Sequence, residues 1–288
     1  MQNSAQHAAT KNSPVVARES ETRSTTQRVD DALDTIHDLW SLVASNEVYV
    51  PPTADFNVPT GFRLSIVVPV YNEKTTILEV IARLNELPLP KEIIVVDDCS
   101  TDGTRGWLET MRGASGLKLI FQERNRGKGA ALRAGFAASQ GDVIVIQDAD
   151  LEYDPRDILQ VVTPIVLGDA DVVYGSRYFK SQQPGDSWAH RFANRTLTEV
   201  SNLFTGLRLT DMETCYKAFR RDVIRGLELK QNRFGFEPEV TAKLARRRYR
   251  VSETAVSYNA RGYAAGKKIG IRDAFNALYC IVRYGMGD

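Results

Sequence analysis

The sequence has few of the residues that build disulfide-bonded or zinc-containing proteins. It contains three cysteines and three histidines, and no two cysteines form a Cys-x-x-Cys pair. An odd cysteine count argues against a disulfide framework, and scattered histidines argue against a zinc site. We therefore expect a protein of a reducing compartment, which in the simplest case is the cytoplasm.

Long apolar runs and an excess of one charge are also absent. No run reaches the ~18 apolar residues that identify a membrane-spanning helix, and residues 2–27 lack the apolar segment of a signal peptide. A formal net charge of +1 creates no field that would attract nucleic acid. We expect neither a spanning helix nor a nucleic-acid partner, and a peripheral position on the cytoplasmic face of a membrane stays open.

The N-terminal part of the chain differs in composition from the rest. Residues 1–27 are rich in Ser, Thr, Gln and Ala without an apolar period, which predicts a disordered tail. Residues 28–62 are predicted to form an amphipathic helix over 28–46, followed by a proline-containing linker. The helix would pack either on the main domain or on a second copy of the chain. Its apolar residues recur at steps of three and four: Val29, Leu33, Ile36, Trp40 and Val43.

Residues 63–288 are predicted to form one α/β domain. Unbroken Val/Ile runs indicate strands buried on both faces, as in a mostly parallel sheet flanked by helices. The predicted strands are 64–70, 92–96, 117–121, 143–146, 171–174, 214–219 and 251–258. The predicted helices are 75–87, one from about 103, 129–139, 157–167, 189–204, 237–248 and 271–284.

Acidic side chains follow three of these strands. Glu73 follows the first strand, Asp97 and Asp98 the second, and Asp148 and Asp150 the fourth. Ligands of open α/β sheets bind at the carboxyl ends of the strands, so these acids should face one pocket, where only a cation or hydrogen-bond donors relieve their repulsion. Asp-x-Asp alone is a weak signal, but after a buried strand the pair suits Mg²⁺ or Mn²⁺ shared with phosphate oxygens.

Two further loops have both a structural and a functional interpretation. Asp98 suits hydrogen bonds from a nucleotide base or ribose, whereas Asp102 suits a helix cap. Residues 125–129 open a helix with two glycines, which favours close approach of an anion. Lys128 either contacts that anion or is a solvated loop lysine. The loop lacks the spacing of a Walker A motif, and no Gly-x-Gly-x-x-Gly follows the first strand.

Seven segments, in this order, resemble the family 2 glycosyltransferases with the GT-A fold. Among these, the chain is most similar to the polyprenyl-phosphate sugar transferases, such as dolichol-phosphate mannose synthase. The segments are 66–73, 95–104, 125–131, 148–152, 174–178, 210–217 and 266–269. The resemblance implies a nucleotide-sugar-binding half over 63–180 and an acceptor-binding half over 181–288.

The resemblance also implies roles for the matching residues. The donor, a UDP- or GDP-sugar, would be bound by Pro69, Tyr71, Glu73, Asp98, Lys128 and Asp148. The metal would be held by Asp148, Asp150 and Glu152. An acceptor phosphate would be bound by Arg177, Arg191 or Arg195, Arg261 and Lys268. The groups with catalytic roles would be Asp150, Asp211 and Arg177.

Asp211 distinguishes two versions of an inverting transfer. With a sugar hydroxyl as acceptor, Asp211 would be the base. With a lipid phosphate, which is already ionised, Asp211 would orient a neighbouring arginine. The arginines among the implied acceptor residues favour a polyprenyl phosphate, because arginine grips phosphate oxygens in a fork.

The sequence alone leaves three alternative functions open. Many relatives continue into membrane helices where this chain stops, so a soluble saccharide or small-molecule acceptor stays open. A catalytically silent nucleotide-sugar-binding protein and, more distantly, a nucleotidyltransferase are the others. If the acceptor is a lipid, the last predicted helix is either interfacial or an ordinary core-facing helix. Its apolar residues are Phe275, Leu278, Ile281 and Val282.

Overall fold

The computed structural model describes residues 58–179, 188–260 and 271–287, apart from the side chains of residues 188–190 and 271–274. The tail predicted over 1–27 and the helix predicted over 28–46 lie outside these residues. The predicted linker is described only from residue 58.

A seven-stranded sheet organises the described part of the chain, in the order β3-β2-β1-β4-β6-β5-β7. Strands β1 to β4 pair in parallel, β6 runs antiparallel to β4 and β5, and β7 is parallel to β5. The strands are β1 Leu64–Val70, β2 Lys91–Asp97, β3 Leu117–Phe121, β4 Val143–Ile146, β5 Val172–Ser176, β6 Lys217–Arg220 and β7 Val251–Ala255.

Helices cover the sheet. They are α1 Ile77–Asn85, α2 Thr104–Thr110, α3 Lys128–Ala138, α4 Ile158–Val166, α5 Trp188–Thr205, α6 Arg221–Arg225, α7 Phe236–Arg246 and α8 Ile271–Met286, with a 3₁₀ helix at Pro155–Asp157. None of the described helices is long and apolar enough to cross a membrane.

The central strands are buried because they lie between two layers of helices. Every residue of β4 is buried, and in β1 only Pro69 is partly exposed. Such strands read as continuous apolar runs. The predicted mostly parallel α/β fold is confirmed.

The second half of the chain departs from the predicted elements. Strand β6 begins at Lys217, three residues later than the predicted start, because Thr214 is turned to bond the carbonyl of Gly175 through its hydroxyl (2.5 Å). Strand β7 ends at Ala255, before the predicted end at 258, and Tyr258 instead forms an isolated bridge with Tyr153. Helix α6 was not predicted.

One edge of the sheet collects the candidate site residues. Because β1 to β5 and β7 point the same way, their carboxyl ends meet at that edge. The antiparallel strand β6 starts there, so the segment before it, residues 211–216, joins the same edge.

Candidate functional site

The loops after β1 and β2 are tied together. Asn72, at φ 56°, donates its N–H to Ser100 (2.9 Å) and accepts the N–H of Thr101 (2.8 Å). The N–H of Glu73 donates to the Thr104 hydroxyl (3.0 Å). These bonds fix one wall of the predicted donor pocket, where Pro69 and Tyr71 are half-buried and Glu73 is buried.

Asp98 holds the loop before α3. Its two oxygens accept the N–H groups of Arg126 (2.7 Å) and Gly127 (2.6 Å), and the residue is 2% exposed. The predicted contact of Asp98 with a base or ribose therefore has to share these oxygens. Asp102, the predicted cap, accepts the N–H of Thr104 at the start of α2 (2.9 Å) and that of Lys74 (3.1 Å).

The two glycines at the start of α3, Gly127 and Gly129, leave room for the backbone of residues 231–232. A β-carbon on Gly127 would lie 2.5 Å from the carbonyl oxygen of Asn232, and one on Gly129 would lie 2.4 Å from that of Gln231. The N–H of Ala130 donates to Asn232 (3.1 Å). The predicted anion site at this helix start is thus partly covered by residues 231–233.

Lys128 is a half-buried cation between two carboxylates, with 18% of its side chain exposed. Its ammonium lies 3.0 Å from Asp148 and 3.6 Å from Glu237. Burial alone would lower the pKa of Lys128, but Asp148, with Glu237 beside it, raises that pKa well above its usual value. Lys128 therefore stays charged, and it is not the solvated lysine of the alternative interpretation.

The loop after β4 presents Asp148 and Asp150 at half-buried positions. Thr76 anchors it by donating to the carbonyl of Ala149 (2.7 Å), and Asp150 accepts the N–H of Glu152 (3.1 Å). Glu152 in turn accepts the hydroxyl of Tyr258 (2.7 Å). The loop is therefore connected both to the β1 side and to the segment after β7.

The predicted metal ligands do not form a closed cage. Within the described residues, no group of three or more His, Cys, Asp or Glu side chains converges as a protein-only metal site would require. Asp148 is paired with Lys128, and Glu152 with Tyr258. Half-buried carboxylates in this arrangement fit a cation that takes most of its ligands from phosphate and water, as Mg²⁺ usually does.

Arg177 and Asp211 form a buried, bidentate ion pair at the end of β5. Nε of Arg177 donates to Oδ2 of Asp211 (2.7 Å) and Nη2 to Oδ1 (2.8 Å). Asn194 of α5 bridges them, accepting from Arg177 (3.2 Å) and donating to Asp211 (3.1 Å). Asp211 is fully buried, whereas the Arg177 side chain is 13% exposed.

Two tyrosine rings lie beside this arginine. The guanidinium carbon of Arg177 is 5.5 Å from the ring centre of Tyr178 and 5.1 Å from that of Tyr258. Burial would lower the pKa of Arg177, but Asp211 raises it well above its usual value. The guanidinium is thus permanently charged and held in one orientation.

A second group of charges lies beneath the site. Lys217 is fully buried, donates to the carbonyl of Met212 (3.0 Å) and lies 4.6 Å from the ring centre of Tyr174. Burial, followed by the nearby Glu237, raises the pKa of Glu213 to about 8. Oxygens of Glu213 and Glu237 are buried without a hydrogen-bond partner among the described residues.

The structure describes only part of the predicted acceptor set. Arg191 and Arg195 lie on α5, three residues before and one residue after Asn194, and Arg195 is exposed. Arg261 and Lys268 lie outside the described residues. The roles assigned to these four arginine and lysine side chains stay predictions.

Several residues of the candidate site were not identified by reasoning from the sequence. Glu213 lies within the segment 210–217 but was given no role there, whereas Asn194, Tyr258 and Glu237 lie outside the seven segments and reach the site through contacts with distant parts of the chain. Glu237 carried a weaker signal, since it is an acid in the first turn of a helix, and the structure buries it.

Comparison with known proteins identifies the family. Residues 65–227, more than half of the chain, match the description "Glycosyl transferase family 2". The chain belongs to glycosyl transferase family 2. This confirms the resemblance drawn from the seven motifs.

Curated relatives of this family 2 chain act on lipid phosphates. It is 30% identical to an undecaprenyl-phosphate 4-deoxy-4-formamido-L-arabinose transferase of Aeromonas hydrophila, over 76% of this chain and 66% of the relative. It is also 30% identical to a dodecaprenyl-phosphate galacturonate synthase of Rhizobium johnstonii, over 80% of this chain and 68% of the relative. The chain thus spans about two thirds of the length of these two relatives.

Solved structures share the fold. The glucosyl-3-phosphoglycerate synthase of Mycobacterium tuberculosis in complex with UDP superposes with a TM-score of 0.63 at 21% identity, covering 84% of this chain and 87% of that one. The same enzyme with Mn²⁺, UDP and phosphoglyceric acid gives a TM-score of 0.59 at 22% identity, covering 80% of each chain. At these identities the likeness establishes the fold.

Proposed function

We propose that this chain transfers a sugar from a UDP- or GDP-sugar to a polyprenyl phosphate, with inversion at the anomeric carbon and with Mg²⁺ or Mn²⁺ as cofactor. Family membership supports the reaction class, and the names of the curated relatives support the lipid-phosphate acceptor. The observation that carries the acceptor assignment is the orientation of Arg177.

Arg177 has the geometry of an oxyanion clamp. Asp211 and Asn194 engage Nε and Nη2, while Nη1 makes no hydrogen bond to any residue that the structure describes. The two N–H groups of Nη1 are thereby left for a ligand. A fixed, permanently charged guanidinium that is slightly exposed beside two tyrosine rings suits a phosphate oxygen better than a neutral hydroxyl.

Asp211 is better suited to orient Arg177 than to remove a proton from the acceptor. Its two oxygens already accept four hydrogen bonds, from N, Nε and Nη2 of Arg177 and from Asn194. A general base must reach the proton that it removes, and this carboxylate is fully buried. An ionised phosphate acceptor needs no base, which agrees with an orienting Asp211.

On the donor side, Asp150 with Asp148 would hold the cation against the donor diphosphate. The cation would neutralise the charge that develops on the leaving nucleoside diphosphate. Lys128, held by Asp148 and Glu237, adds a second positive charge near the same loop. The protein's contribution is to position the two substrates and to stabilise charge at both ends of the displacement.

The first test is a transfer assay with UDP- and GDP-sugars, Mg²⁺ or Mn²⁺, and undecaprenyl phosphate in detergent. We expect glycolipid from one donor and its loss with chelator or with Asp150→Ala. Asp142→Ala, at an exposed acid near the opposite edge of the sheet, is the matched control and should retain transfer. Donor hydrolysis without glycolipid would redirect the assignment to a soluble acceptor, and no donor turnover would favour a silent binding protein.

A further inference from the structure

The segment that carries Asp211 is held by side chains of neighbouring elements. Residues 209–212 lie between α5 and β6, outside any helix or strand. The position of Asp211 therefore depends on a few side-chain acceptors, which bond the four consecutive N–H groups of this segment. The N–H of Leu209 donates to Asn202 (3.0 Å), those of Thr210 (2.8 Å) and Asp211 (3.1 Å) to Glu253, and that of Met212 to Thr198 (3.1 Å).

Glu253, on β7, is the charged member of this set and accepts two of the four N–H groups. Its Oε1 accepts from both Thr210 (2.9 Å) and Asp211 (3.1 Å), and its Oε2 accepts from Thr210 as well. The carboxyl is half-buried, and burial raises its pKa, while the two N–H groups act in the opposite direction.

Glu253 has no cationic counterpart that would explain it as a stabilising ion pair. Among the residues that the structure describes, no lysine or arginine forms a salt bridge with it. The nearest charge is of the same sign, since Asp211 also raises the pKa of Glu253. A half-buried acid beside a second acid costs stability, and such positions are typical of functional sites.

The contacts of Glu253 lead to Arg177. Strand β7 pairs in parallel with β5, at whose carboxyl end Arg177 lies. The hydroxyl of Thr210 is bonded to that of Ser176 (2.6 Å), the residue before Arg177. Asp211 accepts the N–H of Arg177 (3.1 Å) as well as its Nε and Nη2. A closed ring of contacts therefore runs from β7 through residues 210–211 to Arg177 and back along β5.

The paired bonds between Arg177 and Asp211 tolerate little displacement. Two parallel bonds of 2.7 and 2.8 Å require both carboxylate oxygens to lie near the plane of the guanidinium. Because Glu253 bonds the main chain of Asp211 itself, loss of its carboxylate would allow that main chain to shift. The guanidinium would then turn with Asp211, away from the orientation that suits a phosphate oxygen.

We infer that Glu253 is a positioning residue for the acceptor phosphate: it fixes the main chain of Thr210 and Asp211, and Asp211 in turn fixes the guanidinium of Arg177. Glu253 acts through these residues rather than by contact with the phosphate. The identity of the ligand rests on the proposed function, whereas the placement of Asp211 by Glu253 does not.

The first test compares three variants in the transfer assay with undecaprenyl phosphate. Glu253→Leu removes both acceptor oxygens, and Glu253→Gln keeps one. The KM for undecaprenyl phosphate should rise about tenfold in Glu253→Leu and less in Glu253→Gln, with the KM for the donor unchanged. Ser252→Ala is the matched control, because the Ser252 hydroxyl on the same strand has no partner among the described residues. Equal rises in both KM values would overturn the inference.

A double-mutant cycle separates positioning from general stabilisation. In the Asp211→Asn background Arg177 has already lost its charged partner, so Glu253→Leu should raise the KM for undecaprenyl phosphate by less than about twofold. A further tenfold rise in that background would show that Glu253 does not act through Asp211, and would overturn the inference.

Amide hydrogen exchange tests the placement of Asp211 without any transfer reaction. The N–H groups of Thr210 and Asp211 should exchange at least about tenfold faster in Glu253→Leu than in wild type or Ser252→Ala. Unchanged exchange would refute the inference even if the chain transfers sugar to undecaprenyl phosphate. Faster exchange in a chain that glycosylates no lipid phosphate would support the placement of Asp211 by Glu253 and refute the proposed function.

Discussion

At the scale of single residues, the Arg177–Asp211 pair is the feature on which the proposed acceptor chemistry depends. Both side chains are largely removed from solvent, so breaking the pair leaves a charge with little hydration. The resemblance to family 2 named both residues, but it could not decide whether Asp211 removes a proton or orients Arg177. The proposal that Asp211 orients Arg177 rests on the bidentate geometry and on Asn194, which no local pattern indicates.

Asp211→Asn separates these roles. We expect a loss of about 3 kcal/mol in the free energy of unfolding, because Arg177 loses its charged partner. The KM for polyprenyl phosphate should rise, while the pH profile of kcat keeps its shape, as measured by initial rates between pH 6 and 9. A fall in kcat of ~10²-fold or more together with a flattened acidic limb of the pH profile would instead identify Asp211 as a base.

Arg177→Lys is the companion change. It keeps the positive charge but removes the planar guanidinium, which can donate two parallel hydrogen bonds to one ligand. The KM for the lipid phosphate should rise about tenfold, with little change in the KM for the donor. Arg112→Lys, at an exposed arginine of the turn after α2, serves as the control. Equal effects on both substrates would contradict an acceptor-specific role.

The raised pKa of Glu213 predicts how the free energy of unfolding depends on pH. Its pKa of about 8 in the folded protein lies above the ordinary glutamate value of 4.5, so the folded state keeps the proton to higher pH than the unfolded state. The stability that this group contributes is complete below about pH 4.5 and is lost as pH rises toward 8.

Glu213→Gln removes this dependence. Relative to wild type, the variant should gain more than about 1 kcal/mol of unfolding free energy between pH 5 and pH 8.5, as measured by urea denaturation. Glu86→Gln, at an exposed glutamate after α1, should show no such gain. Parallel pH profiles of wild type and Glu213→Gln would show that the carboxyl is not protonated in the folded state.

At the scale of helices and strands, the strand boundaries in the first half of the chain could be predicted closely from the sequence. The boundaries of β1, β3 and β4 match because each is an apolar run ended by polar or acidic residues. The segments before β6 and after β7 were mistaken for strand because their apolar residues serve contacts across the site. Tyr216, for example, donates its hydroxyl to the carbonyl of Asp154 (2.8 Å).

The loop before α3 gives the sharpest prediction at this scale. Gly127 has φ 93° and faces the backbone of Asn232, whereas Gly113 has φ 84° with nothing within 4 Å of its added β-carbon. Both Gly→Ala changes carry a backbone cost of about 1–2 kcal/mol. Gly127→Ala should destabilise further and raise the KM for the donor, because residues 231–233 must move.

Thermal unfolding and donor titration compare these two variants. Gly113→Ala should leave the KM for the donor unchanged. If Gly127→Ala has the same unfolding free energy and donor KM as Gly113→Ala, the close packing of residues 231–233 over this loop is not a determinant of the donor site.

At the scale of the whole molecule, the α/β class followed from the order and burial of the strands. The position of β6 did not, because its antiparallel place between β4 and β5 depends on pairing between residues about 75 positions apart, such as Val143 and Arg220. That placement brings Asp211 and Lys217 to the carboxyl edge of the parallel strands. The donor and acceptor halves of the proposed reaction therefore meet at one edge of the sheet.

The central claim is that the acceptor is a lipid phosphate gripped by Arg177. It is tested most directly by comparing undecaprenyl phosphate with undecaprenol, its unphosphorylated alcohol, under the same donor and metal conditions. We predict glycolipid from the phosphate only, with a rate reduced in Arg177→Lys at subsaturating acceptor. Equal transfer to the alcohol, or a rate unaffected by Arg177→Lys, would contradict the account.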